Sequence, residues 1–324
     1  VWKAALWGGI AGTIPDLDAL VDHGDPIRNM TFHRAESHSL LFLTMLSPLL
    51  AWLVTRIHGE AQHFRRWWLA LWAALFTHPL LDTMTIYGTQ LLQPFSEHPF
   101  AIGSVFIIDP LYTLPLVLGL LATGLDRGAR RLRWNTAGVL ASTAYLAWSL
   151  VAQAWATGVA ERELAASGIR HERLLVTATG LNTVLWRVLA MEPGGASYVE
   201  GFWSPFDGDR AMRFDRFTSD RALYERLRGN WGLERIAWFS HLLAPAANPW
   251  ATPPMSGEWR KWLADNPVHA GSGDASSALL KRMLSTLNSY YGLLGHAHTY
   301  TLRKHIYHQE LGLLRRYFLP ADKD

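Results

Sequence analysis

The stretch SHSLLFLTMLSPLLAWLVTR, Ser37–Arg56, decides how the rest of the sequence is read. Between Ser39 and Thr55 it carries no charged residue, and it closes on Arg56. A helix needs about 20 apolar residues to cross the hydrocarbon core of a bilayer, so this run is a slightly short membrane segment. Similar runs lie on both sides of it. Val1–Ile14 reads as the remnant of a cut first helix, Trp67–Ile86 is apolar except for His78 and Asp82, Val105–Leu125 is interrupted by Asp109, and Trp134–Ala160 is uncharged. Buried helices of a soluble protein rarely recur in this way. The expected fold is therefore a mainly α membrane protein with about five transmembrane helices, the first truncated, over residues 1–160. A small α+β soluble domain is expected at 161–245, a linker at 246–278 and a helical tail at 279–324.

Composition agrees with a membrane setting. The 324 residues are 49% hydrophobic and include 16 tryptophans, a side chain favoured at membrane interfaces. Cysteine is absent, so any metal must be held by nitrogen and oxygen ligands. The net charge of +3 comes from cations gathered in loops rather than from a nucleic-acid-binding face. Arg56, Arg65 and Arg66 follow the Ser37–Arg56 run, and Arg127, Arg130, Arg131 and Arg133 precede the Trp134–Ala160 run. The positive-inside rule puts both loops in the cytoplasm. The soluble domain is then on the non-cytoplasmic side of a multi-pass membrane protein, with the lipid bilayer as its partner; in a bacterial inner membrane that side is the periplasm.

That orientation gathers the ionisable residues of the apolar region on the outer side. Asp16 and Asp18 end the first run, His33 and His38 precede the second, Asp82 closes the third and Asp109 opens the fourth. Charged groups beside apolar spans are costly, and their convergence marks a site. In THPLLDTMTIYGT the i, i+4 spacing of His78 and Asp82 places both on one helix face, where they can ligate one cation or orient one another. In PDLD the two aspartates of an extended segment point to opposite sides, so one can ligate and the other support. Arg34 can pair with an anionic group or snorkel to the interface, and His23, His58 and His63 read as loop residues.

PDLD, HRAESHSLLF, THPLLDTMTIYGTQLLQPFS and VFIIDPLYTLPL, in that order, resemble a family of bacterial inner-membrane metal-dependent hydrolases, some of them LexA-regulated. The resemblance covers residues about 2–239 and includes LLVTATGLNTVLWRVLAMEPGGASYVEGFWS. It implies hydrolysis by a bound divalent metal, zinc or manganese, held by Asp16, His33, His38, His78 and Asp82, with Asp18 and Asp109 in catalytic roles. A lipid or other small envelope ester or phosphoester is the implied substrate. The family opens with an Asp-Pro-x-Thr-His motif that precedes the first residue here, so one further histidine ligand is expected upstream. Residues about 279–318 resemble the tail of retroelement-type reverse transcriptases, whose basic residues and tyrosines suit nucleic acid. A different reading makes the His/Asp cluster a packing network or proton relay in a membrane or stress-response protein without catalysis.

Overall fold

The structure is a computed structural model, and it describes residues 2–195, 197–208, 210–218 and 229–239. The expected linker at 246–278 and helical tail at 279–324 lie outside the described residues. The chain is mostly helical. Helix α1 (Trp2–Thr13) passes into a tight 3-10 turn (Pro15–Leu20), then α2 (Pro26–Phe32) and a second such turn (Glu36–His38). Helices α3 (Leu40–His58) and α4 (Phe64–Thr83) form one hairpin, and α5 (Pro110–Leu125) and α6 (Leu132–Ala166) form another. Strands β1 (Arg173–Ala178), β2 (Trp186–Met191), β3 (Ser197–Trp203) and β4 (Phe214–Thr218) follow, then a short α7 (Trp231–Phe239).

Two helices among the described residues, α3 with 19 residues and α6 with 35, are long and apolar enough to cross a membrane. The expectation of about five transmembrane helices is therefore wrong, and length and composition explain the difference. At 1.5 Å per residue the 16 residues of α5 reach only about 24 Å, short of a core about 30 Å thick. Helix α4 has the length, but Arg65 and Arg66 near one end, three tryptophans, and His78 and Asp82 near the other lower its hydropathy. Helix α6 errs the other way. It rises about 52 Å, and its last third lies against the sheet instead of in a bilayer.

Local sequence accounts for the helix ends. Ser39 begins α3 by accepting from the Phe42 amide, and Gly59 ends it in the left-handed conformation (φ 64°) that a side chain disfavours. Asp109 caps α5 through the Leu111 amide. In the α3/α4 hairpin Leu43, Ala51 and Val54 bury against Leu71 and Leu75, with Ala11 of α1 added from outside. Trp68 and Trp72 cross this seam by donating to Ser47 (2.9 Å) and Thr44 (3.2 Å). The sheet is an antiparallel meander in the order β1-β2-β3-β4. Its inner face packs Val176, Trp186, Val188 and Trp203 on Ala152, Ala156 and Ala160 of α6, a stripe at helical i, i+4 spacing.

The loop between α4 and α5 binds these parts together. Gln90 N–H donates to the Arg34 carbonyl (2.9 Å), Leu40 N–H to the Leu91 carbonyl (3.1 Å), and Ala178 N–H to the Gly103 carbonyl (3.0 Å). The entry to α3 and the edge of the sheet thus share one loop. Helix α7 closes over the same region: Phe239 is buried against Tyr87 and Arg235 pairs with Glu97 at 3.0 Å.

The α5/α6 hairpin depends on two glycines. A Cβ at Gly138 would lie 2.4 Å from the Pro115 carbonyl oxygen, and one at Gly119 would lie 2.7 Å from that of Trp134. Gly138→Val is expected to cost about 1–3 kcal/mol by forcing the helices apart. Gly124→Ala, where a Cβ meets nothing within 4 Å, is expected to be neutral or stabilising by up to about 1 kcal/mol. Thermal unfolding of the two variants in detergent measures the difference.

Candidate metal centre

Four side chains from three segments meet at the C-terminal ends of α1 and α4 and the N-terminal end of α3. Asp16 comes from the first 3-10 turn, His38 from the second, and His78 and Asp82 from successive turns of α4. Their ligand atoms alternate around a ring. His38 Nε2 lies 3.4 Å from Asp16 Oδ1 and 3.1 Å from Asp82 Oδ2; His78 Nε2 lies 3.5 Å from Asp16 Oδ1 and 3.3 Å from Asp82 Oδ2. All four atoms fall within 4.8 Å of one another. Donors about 2.0–2.1 Å from one tetrahedral ion stand about 3.3 Å apart, so the four short edges have the spacing of ligands around a small cation.

The ring is crowded, yet its buried atoms are not paired by hydrogen bonds. His38 Nε2, His78 Nε2 and Asp82 Oδ2 are buried without a hydrogen-bond partner, although each has an oppositely charged neighbour close by. One imidazole N–H cannot align with two carboxylates at once. Buried polar groups are normally satisfied, and three orphans aimed at a common point fit an electron-pair acceptor in the middle. Two imidazoles and two carboxylates make a donor set suited to zinc or manganese.

A second layer holds the ring in place. Asp18 Oδ1 pairs with His33 Nδ1 (2.9 Å), while Asp18 Oδ2 accepts from the Arg34 amide (2.9 Å) and from Ser37 Oγ. Ser37 Oγ in turn lies 2.9 Å from His38 Nδ1. A histidine whose Nδ1 is engaged in this way presents Nε2 as its ligand atom. Arg34 is buried; its guanidinium lies 3.3 Å from Asp82 Oδ1, 3.2 Å from Thr85 Oγ1, and over the Tyr87 ring at 5.2 Å. Asp82 Oδ1 is thereby occupied and Oδ2 is left to the ring.

The structure brings together Asp16, His38, His78 and Asp82 from the residues singled out in the sequence. His33 and Asp18 sit behind them, bonded to each other. His33 borders a shallow cavity of about 240 Å³ with Asn29, Met30 and Tyr87. Asp109 is not a member of the group. Its oxygens are taken by the Leu111 amide (3.0 Å) and the Tyr145 hydroxyl (2.8 Å), which tie α5 to α6. Arg34 and Ser37 were the residues whose part was hard to foresee, since an arginine and a serine beside a membrane segment usually face water. The one signal was their place between His33 and His38. His58 also differs from a plain loop residue: it ends α3 and accepts from Trp7 Nε1 at 2.8 Å.

Residues 1–156 match the family model described as YdjM inner membrane protein. The match covers just under half of the 324 residues, contains all four ring residues and stops within α6, short of the expected extent to residue 239. YfhP of Bacillus subtilis (strain 168), described as an uncharacterized protein, is 29% identical over 111 residues, 33% of this chain and 33% of that one. The alignment thus spans a third of the relative's length. No solved structure matches the chain. The resemblance of the tail to reverse transcriptases gains no support from these comparisons.

Electrostatics couple the ring to pH. Burial alone would lower the His38 pKa, but the carboxylates of Asp16, Asp18 and Asp82 outweigh it and raise it to about 10. Asp16 is held well below the usual carboxylate range by His38 and His78. Asp18 is lowered too: burial pushes it up, and His33, His38, Ser37 and the Arg34 amide more than reverse this. A folded pKa raised from 6.5 to about 10 gives stability that is full below about pH 6.5 and lost as pH rises through 10. The metal-free protein is therefore expected to lose thermal stability between pH 7 and 10, and zinc is expected to remove that loss by replacing the proton. Unfolding temperatures across this range, with chelator and with zinc, check both parts.

Proposed function

We propose that this protein is a membrane-bound metal-dependent hydrolase, with Asp16, His38, His78 and Asp82 as its metal ligands. The ring of four alternating donors, three of them buried without a hydrogen bond, carries the reading. A packing network or proton relay built from the same residues would close its own hydrogen bonds. When bound, a divalent cation, zinc or manganese, would acidify a water to a pKa of about 7 and so supply hydroxide at neutral pH.

The chain's own residues do the rest. Asp18, acting through Ser37, fixes the ring orientation of His38, and Arg34 turns Asp82 so that one oxygen faces the centre. Asp16 has 47% of its side chain exposed, against 0–16% for the other three ligands, so a substrate reaches the centre over Asp16.

Location supports an envelope substrate. The family matched by residues 1–156 is described as an inner membrane protein. Helix α3 starts beside the site and leaves toward Arg56, Arg65 and Arg66; α6 starts beside Arg130, Arg131 and Arg133 and ends at the sheet. If both cross the bilayer with their cationic ends in the cytoplasm, the site and the sheet lie at its outer face. A lipid or another envelope phosphoester or ester then fits as substrate.

His78→Ala is the direct test. Wild-type protein purified in detergent is expected to carry about one divalent ion per chain and to hydrolyse a phosphodiester or lipid ester in a chelator-sensitive manner. The variant is expected to lose most of the ion and at least about 10–100-fold of the activity, with unchanged helix content by circular dichroism. Equal metal content in both proteins would sink the reading.

A further inference from the structure

We propose that α7 tightens the metal centre through Tyr87, a positioning residue for Arg34 and, through it, for Asp82. The inference rests on the ring of Asp16, His38, His78 and Asp82 as a metal site, and adds what sets its affinity.

Trp231, Arg235 and Phe239 follow one another at helical i, i+4 spacing and share one face of α7. Each meets a different part of the chain around the site. The Arg28 guanidinium of α2 lies 5.7 Å from the Trp231 ring, Arg235 pairs with Glu97 of the loop between α4 and α5 at 3.0 Å, and Phe239 meets the Tyr87 ring edge to face at 5.1 Å. Arg235 and Glu97 are each 13% exposed, so solvent screens their pair only weakly. Phe239 is fully buried. Helix α7 is thus latched at its start, middle and end, although it lies beyond the residues 1–156 that match the family model.

Tyr87 is where this docking reaches the centre. Its hydroxyl donates to the Met30 carbonyl at 3.1 Å, its ring meets that of His33 at 5.3 Å, and the Arg34 guanidinium lies over it at 5.2 Å. Arg34 needs this support, because its polar contacts hold it loosely. Its guanidinium reaches Thr85 Oγ1 at 3.2 Å and Asp82 Oδ1 at 3.3 Å, and its Nε is buried without a hydrogen-bond partner among the described residues. A guanidinium is planar, so an aromatic ring beneath it fixes the plane in which its N–H groups point. With that plane fixed, Nη2 faces Asp82 Oδ1 and leaves Oδ2 to the metal ligands. Without the Phe239 side chain Tyr87 loses one wall of its seat, Arg34 is free to tilt, and Asp82 turns with it.

The experiment titrates zinc into the full chain in detergent against a chromophoric chelator. Phe239→Ala is expected to weaken zinc binding about tenfold, the low end of what is lost when a group behind a metal ligand is removed. Phe239→Leu refills most of the space and is expected to stay within about twofold of wild type. Arg235→Gln opens the middle latch without leaving a large cavity, and is expected to weaken zinc by about twofold or more. Leu164→Ala, in an equally buried place where Leu164 packs on Ala190 and Val199, is expected to lower the unfolding temperature and leave zinc affinity unchanged. In a Tyr87→Leu background Phe239→Ala is expected to add less than about twofold, because the path to Arg34 is already cut. Zinc affinity unchanged in both Phe239→Ala and Arg235→Gln, an equal loss from Leu164→Ala, or an undiminished loss in the Tyr87→Leu background would each overturn the role of α7 and leave the metal centre standing. A wild-type chain that takes up no zinc would overturn the centre and the role of α7 with it.

Discussion

The carboxylate of Asp18 is the joint on which the segment between α1 and α3 turns. Its two oxygens gather the ring of His33, the backbone of Arg34 and the hydroxyl of Ser37. Hydrogen bonds to a charged group contribute about 1.5–3 kcal/mol each, enough to fold the segment between α1 and α3 back on itself. Arg34 adopts a left-handed backbone (φ 62°) at this bend, a conformation that a non-glycine residue takes only when its surroundings hold it there. Here the holding is done on both sides, by Asp18 at its amide and Gln90 at its carbonyl. With that bend fixed, His38 and the guanidinium of Arg34 both point at α4.

The bend also joins the two hairpins. The loop that accepts from Leu40 and donates to Arg34 goes on to accept from the first strand at Gly103. A displacement at the sheet would therefore be felt at the entry to α3. Such rigidity matters for a site whose side chains must stay within about 0.5 Å of their working positions without hydrogen bonds between them to keep them there. The same arrangement keeps like apart from like: carboxylates and imidazoles alternate around the ring, so each has two neighbours of the other kind.

Helix length divides the membrane character of the chain unevenly. Helices α3 and α6 are long and apolar enough to cross a bilayer, whereas α5 falls short of that length and α4 carries its polar residues into the site. Apolar runs in the sequence look alike whether they span, half-span or flank. Proline and the caps decide where a helix starts, as Asp109 and Pro110 do for α5, and so remove residues from an apolar run that seemed long enough.

The sequence by itself determined the helical class and a set of seven candidate residues, Asp16, Asp18, His33, His38, His78, Asp82 and Asp109, from which the structure groups Asp16, His38, His78 and Asp82. Periodicity suffices for the i, i+4 pair on α4, whereas Asp16 and Asp18 lie in a 3-10 turn instead of the extended segment expected. Only the tertiary structure decided that His33 backs Asp18 instead of facing the ring, that Asp109 ties α5 to α6 through Tyr145, and that Arg34 is buried against Asp82. Those assignments depend on which segments meet across 15 to 48 positions of chain. No local pattern encodes such a meeting: it follows from packing of whole elements, and a side chain's role is fixed by what it meets there.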